Sequence, residues 1–94
     1  MQLIGKEILG TFKNEHSDAQ SQIDSWISEV EAATWRVPQD VGKRFKADFP
    51  GNNQIIFDIC WNKYRIWVKV TYKSGIVIVK SVGTHKEYDK WKFK

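Results

Sequence analysis

Along the first third of the chain, apolar residues recur at helical spacing. Ile4, Ile8, Leu9 and Phe12 keep one face, and Ile23, Trp26, Ile27 and Val30 fall at i, i+3, i+4 and i+7, one stripe of an amphipathic helix. Ahead of the second stripe, Ser17 and Gln20 fit an S-x-x-Q capping box, in which the serine oxygen accepts an exposed backbone N–H and the glutamine reaches back. Asp24, Glu29 and Glu31 occupy the opposite face and read as solvated helix surface. Pro38 can open a short third helix, with Val41 and Phe45 one turn apart. The run PGNN, residues 50–53, is turn chemistry and ends the helical half.

The period then changes from 3.6 to 2. QIIFDICW, residues 54–61, is rich in β-branched and aromatic residues, and WNK makes a tight connection to YRIWVKVTY. In that second run Tyr64, Ile66, Val68, Val70 and Tyr72 point one way, while Arg65, Trp67, Lys69, Thr71 and Lys73 point the other. KSG, residues 73–75, turns the chain into GIVIVKSV. The pattern predicts an α+β fold: a small antiparallel sheet of three main strands packed on two N-terminal helices, with residues 1–4 adding a short edge strand. One domain over residues 1–94 is expected. A chain of this size buries roughly 60–70% of the surface it exposes when unfolded, enough to fold without staples.

The longest apolar run falls far short of the ~18 residues a membrane span requires. Residues 1–9 lack a basic start followed by a continuous apolar block, so a cytoplasmic protein without a membrane partner is expected. The single cysteine, Cys60, cannot form an internal disulfide or a CxxC metal site, and it reads as a small residue of the core or sheet face. Charge is informative by position. Residues 1–35 hold two lysines against six acids, a net −4, and residues 36–94 hold thirteen Lys or Arg against five acids, a net +8. The basic second part is expected to face a polyanion.

On the open side of the middle strand, Arg65, Trp67 and Lys69 at i, i+2 and i+4 form a row about 13 Å long. Phosphates along a nucleic-acid strand have a comparable spacing, and an aromatic between cations offers a platform on which a base can stack. Unstacked RNA fits such a face better than duplex DNA. A structural reading of the same tryptophan is core beneath a folded-back C-terminus carrying Trp91 and Phe93, and we expect Trp67 to be partly buried.

Gly83 is expected to break the third strand and leave GTHKEYDKW, residues 83–91, beside this basic face. Histidine is the side chain whose unperturbed pKa, about 6.5, lies near neutrality. Metal-free RNA cleavage needs a base for the 2′-hydroxyl, an acid for the leaving oxygen and cations for the crowded phosphate. His85, Tyr88, Arg65 and nearby lysines can fill those places. The plain alternative is a structural His85, and His16, just before a helix cap, keeps that reading. Glu87 and Asp89, flanked by Lys86 and Lys90, read as solvated ion pairs rather than metal ligands.

At these residues the chain resembles a family. VGTHKEYDKW together with NKYRIWVKV is similar to the HigB-type toxins of bacterial type II toxin–antitoxin systems. The motif G-T-H-x-E-Y-D-K, residues 83–90, is the specific part, and NKYR, residues 62–65, is the second anchor. The resemblance covers most of the chain, including the paired N-terminal helices, VPQDVGKRF and NNQIIFDI. It implies a RelE-like fold and a metal-independent endoribonuclease, an mRNA interferase that needs no cofactor and cuts messenger RNA on the ribosome. It also implies a HigA-like helix-turn-helix antitoxin that neutralises the toxin and represses the operon. Carried over by residue, Arg65 fits the sheet arginine set against the scissile phosphate, His85 the catalytic position after the last strand, and Tyr88 a second catalytic member. Lys63, Trp67, Lys69, Lys86 and Lys90 are the expected RNA contacts. The chain departs from RelE proper where QIIFDIC offers Asp58 as its one charge in place of lysines. Relatives often show Asn-Arg and Phe-Asn-Ile where this chain has Asn53-Gln54 and Phe57-Asp58-Ile59. Asp58 either faces the site, assisting as a base or orienting His85, or faces solvent and does nothing. Two other readings stand beside the nuclease: a noncatalytic RNA- or ribosome-binding module using the Arg65–Trp67–Lys69 face, and a protein-interaction domain whose basic half meets an acidic partner.

Overall fold

The computed structural model describes residues 1–91. Strand β1 (Gln2–Ile4) leads into helix α1 (Lys6–Glu15), and a 3-10 turn (Ser17–Ala19) joins it to α2 (Gln20–Ala32). The short α3 (Pro38–Gly42) precedes strands β2 (Ala47–Gly51), β3 (Gln54–Ile59), β4 (Tyr64–Thr71) and β5 (Ile76–Thr84), and α4 (His85–Tyr88) follows. The α+β class agrees with the expectation, and β1 is the edge strand foreseen at the N-terminus. The sheet, however, has five strands in the order β1-β5-β4-β3-β2, and it is mixed, because β1 runs parallel to β5.

The parallel pairing follows from the β1–α1 junction. Gly5 sits at φ 92, and a Cβ there would lie 3.1 Å from the Val79 carbonyl oxygen. Only glycine lets the chain turn so closely over β5 and lay α1 across the sheet. The missed strand, β2, has the sequence ADFPG, with no alternation and a proline inside. An outer strand tolerates proline because one edge needs no ladder donors. The turn read at residues 50–53 lies between two strands: Pro50 and Gly51 end β2, and Gly51, Asn52 and Asn53 at positive φ close the β2–β3 hairpin.

Most of the two stripes buries as its spacing dictates, but Ile4 belongs to β1 and is exposed, and Ile8 and Ile27 are only partly buried. Leu9 and Phe12 from α1 and Ile23, Trp26 and Val30 from α2 join one core with Ile55, Phe57, Ile66, Val68, Val70, Val77 and Val79 of the sheet. The Trp26 ring meets the Phe57 ring edge-on at 5.2 Å between centroids, and Phe45 packs on Phe57 at the same separation. The S-x-x-Q capping box does not form. Ser17–Ala19 make a 3-10 turn, so α2 begins at Gln20, three residues beyond the serine, with no side-chain cap. At α3 half of such a box exists: the Asp40 carboxylate accepts the N–H groups of Arg36 at 2.9 Å and Val37 at 3.4 Å, behind Pro38 in the first turn. No helix among the described residues is long and apolar enough to cross a membrane.

Cys60 is buried, as expected, but it lies just past β3 in the connecting turn, where Cys60, Trp61 and Asn62 all have positive φ. Gly83 does not break β5, which continues through Thr84. Glycine suits the position for another reason: a Cβ would come within 3.0 Å of the Glu87 Cβ and 3.2 Å of the Trp91 ring, so those groups would have to shift. The missing side chain is what lets α4 fold back onto the sheet.

Candidate functional site

The face of β4 turned away from the helices carries Arg65, Trp67 and Lys69, as alternation predicts. Antiparallel register sets Asp58 opposite Arg65, Ile56 opposite Trp67 and Gln54 opposite Lys69 on β3. On β5, Gly83 lies opposite Arg65, Ser81 opposite Trp67 and Ile78 opposite Lys69, after a register shift that leaves Lys80 outside the ladder. Helix α4 covers one end of this face. It starts from Thr84, whose Oγ1 accepts the Glu87 N–H at 3.2 Å while the Glu87 carboxylate accepts the Thr84 N–H at 3.0 Å. Glu87 is thus occupied in a reciprocal cap.

Arg65 is the centre of the arrangement. Its side chain is 10% exposed and forms an ion pair with Asp58, 8% exposed, at 2.5 Å between Nη1 and Oδ1. The contact is close but poorly aligned, and Asp58 Oδ1 and Arg65 Nε have no hydrogen-bond partner among the described residues. Nη1 also donates to the Asn62 carbonyl at 3.5 Å. Above the guanidinium, 5.2 Å away, lies the ring of Tyr88, a cation–π geometry. Tyr88 in turn meets His85 edge-on at 5.9 Å. The His85 ring is more than half exposed, with Nδ1 3.8 Å from Asp89 Oδ1. Arg65, Tyr88 and His85 therefore form one contiguous group, with Asp58 beneath it and Asp89 at its edge.

Trp67 is partly buried, as expected. Its Nε1 donates to Gln54 Oε1 at 2.9 Å, and its ring lies 5.6 Å from that of Trp91. Phe93, the other aromatic expected to cover it, lies outside the described residues. Lys69, Lys86 and Lys90 are exposed on or next to this face. Lys63 is engaged elsewhere: its Nζ donates to Asp18 Oδ2 at 2.6 Å, and the Tyr64 hydroxyl donates to the same carboxylate at 2.9 Å. Lys63, then Tyr64, hold the Asp18 carboxyl below its ordinary range, and Asp18 raises the Lys63 ammonium. Burial pushes the Tyr64 phenol up, and burial together with Asp18 does the same to the Cys60 thiol. His16 stacks on Phe12 at 4.1 Å, in keeping with its structural reading.

Three residues near the group were not assigned to it from sequence. Asp58 is undecidable from sequence because alternation within one strand does not say which charge faces it across the ladder. Asp89 was read as solvated surface, although its i, i+4 spacing from His85 on a helical segment is a usable signal. Trp61 falls at the junction of the QIIFDICW run and the WNK connection, and neither assigns it a role. Among the described residues, no three His, Cys, Asp or Glu side chains are grouped so as to hold a metal ion.

A family model described as HigB_toxin, the RelE-like toxic component of a toxin–antitoxin system, matches residues 19–91. That span takes in all of the sheet except β1, the whole of α2 and every residue of the group around Arg65. A comparison with curated proteins finds no match. With nearly four-fifths of its length matched, the chain belongs to the HigB toxin family of toxin–antitoxin systems.

Proposed function

We propose that the protein is an endoribonuclease that cleaves messenger RNA on the translating ribosome and is neutralised by a cognate antitoxin of the helix-turn-helix, HigA-like type. The observation that carries the reading is the convergence of Arg65, Tyr88 and His85, within 5.2 and 5.9 Å of one another in sequence Arg–Tyr–His. In this reading the exposed His85 takes the proton of the 2′-hydroxyl as that oxygen attacks the neighbouring phosphorus in line. Asp89 holds the imidazole that becomes charged. Arg65 meets the charge that develops on the phosphate oxygens, and Tyr88 supplies a proton to the departing 5′-oxygen. Every proton transfer is assigned to a protein group, so the reaction is written without a metal. Lys69, Lys86 and Lys90 draw the strand along the open face, and Trp67 with Trp91 forms its apolar floor.

A second reading rests on the Asp58–Arg65 ion pair. A guanidinium already neutralised and nine-tenths covered serves binding as readily as catalysis, which favours a noncatalytic RNA- or ribosome-binding module. Incubation of the protein with translating ribosomes and a defined mRNA separates the two. Cut product from the wild type and none from a folded His85→Ala variant is the expected result. RNA held tightly but intact by the wild type would favour the binding module. Full cleavage by His85→Ala would move the chemistry to another residue.

A further inference from the structure

Trp61 stands apart from the other tryptophans. It is 97% exposed, whereas Trp26 and Trp35 are core residues at 2% and 5%, and Trp67 and Trp91 are half-buried against each other. Its backbone is also unfavourable. Cys60, Trp61 and Asn62 have φ of 53°, 59° and 70°, the left-handed region in which a bulky side chain is an outlier. Strain of this kind persists only where surrounding structure enforces it, and it gathers at binding sites. The enforcement is visible. The Cys60 N–H donates to Gln22 Oε1 at 2.8 Å, the Lys63 N–H donates to the Cys60 carbonyl at 3.1 Å, and Lys63 and Tyr64 both hold Asp18. An indole is thereby held out into solvent on a braced turn.

The turn is placed where a strand crossing the Arg65 group would pass. Tyr64 pairs with Thr84 across the ladder, so Trp61 and the start of α4 share one end of the sheet. The Arg65 guanidinium donates to the carbonyl of Asn62, the residue after Trp61. A cleft of about 410 Å³ is lined by Trp61, Asn62, Lys46, Gln22 and Asp58 over an apolar floor of Ile59 and Cys60, and Asp58 is the partner of Arg65. The exposed side chains around the indole are Asn62, Lys63 and Lys46, polar or cationic rather than apolar. The two nearby acids, Asp18 and Asp58, are each paired with a cation.

From these features we propose that Trp61 is the stacking platform for an unpaired base of the RNA strand, next to the bond cut at Arg65 and His85. The proposal rests on the ribonuclease reading for its substrate class. A preorganised aromatic face with cations beside it meets the requirements of base stacking on a single strand. A docked protein would call for a contiguous apolar patch instead. Asn62 is placed to meet the edge of the stacked base, and Lys46 to meet its phosphate.

The test uses the full chain in a His85→Ala background, so that the RNA stays intact. Its probes are a single-stranded oligouridine of about 12 nucleotides, the same strand with abasic sugars, and a blunt RNA duplex of equal length. Trp61→Gly is expected to weaken single-strand binding roughly tenfold, within the range of one lost stack, and to leave the abasic strand and the duplex nearly unchanged. Trp61→Phe is expected to keep most of the affinity. The glycine variant is expected to melt no lower than its parent, because glycine suits the left-handed position. Unchanged single-strand affinity in Trp61→Gly overturns the proposal, as does an equal loss on the abasic strand. Weakened binding of an antitoxin alone, with RNA binding intact, overturns it in favour of a protein-docking turn. Failure of the nuclease reading looks different: base-dependent binding that requires Trp61, with no cut product from the wild type, removes the enzyme and leaves the platform.

Discussion

Arg65 and Asp58 show how one pairing changes the meaning of a residue. From its strand position Arg65 is a free cation ready for phosphate; in the fold it is tied to a buried carboxylate and roofed by Tyr88. Burying either charge alone is costly, so removing one partner is expected to destabilise more than removing both. Arg65→Ala and Asp58→Ala are each expected to cost on the order of 3 kcal/mol, and the double variant less than their sum. Chemical denaturation of the four proteins in a double-mutant cycle measures this, and additive losses would mean that the two charges do not sense each other. Loss of cleavage in Arg65→Ala therefore has two sources, and His85→Ala is the cleaner test of chemistry. The alternation in YRIWVKVTY was enough to put Arg65 on the open face. It was silent on Asp58 because the charge that meets Arg65 depends on the register of a different strand.

The element that assembles the candidate site is α4, a single turn of helix held down at Gly83. Spacing alone marked Gly83 as a strand breaker, yet its role is to leave room for Glu87 and Trp91 above an unbroken strand. Gly83→Ala is expected to lift α4, separating Tyr88 from Arg65, at a cost of about 1–3 kcal/mol in stability. Cleavage should fall far more than melting temperature does. Gly10, within α1, is the contrast: a Cβ there meets nothing within 4 Å. Gly10→Ala is expected to stabilise the protein by about 0.5–1 kcal/mol with activity intact. Melts and cleavage assays on both variants check the pair, and equal activity in the two would remove α4 from the site. Strand β2 was not legible for a similar reason. ADFPG has neither alternation nor propensity, and it becomes a strand only because β3 offers a free edge.

At the scale of the molecule, the acidic first third and the basic remainder partly neutralise each other. Lys63 pairs with Asp18, and Arg44 approaches Glu29 at 3.7 Å, each joining the basic part to the acidic helices. Asp18 and Asp40 both titrate below the ordinary 3.8, Asp18 through Lys63 and then Tyr64, Asp40 through the Arg36 N–H and then that of Val37. Folded values that are depressed contribute stability above the unfolded value and lose it as pH falls through the folded one. Lys63, raised chiefly by Asp18, contributes below its unfolded value and loses that contribution as pH rises through the folded one. Melting temperature is therefore expected to hold steady through neutral pH and to drop below about pH 4. Asp18→Asn should lower the neutral plateau slightly and make the acid drop shallower. Melts between about pH 2 and 7 check this, and an unchanged acid slope would assign the drop to other carboxylates.

Two helical stripes, the alternation of β4 and the G-T-H-x-E-Y-D-K motif were settled by the chain itself, since each is a local period or spacing imposed by backbone geometry. The same local rules put Arg65, Trp67 and Lys69 on one face and His85 at the end of β5. The tertiary structure decided which of those groups are spoken for. It drew Lys63 to Asp18, Trp67 to Gln54 and Trp91, and Arg65 to Asp58, and it left Trp61 almost fully exposed. It also cancelled the Ser17 cap by spending that turn on a 3-10 connection, and it set β1 parallel to β5. These outcomes join residues from 7 to more than 70 positions apart, on different elements, and no periodicity within one strand or helix says which partner another element presents; register and packing do.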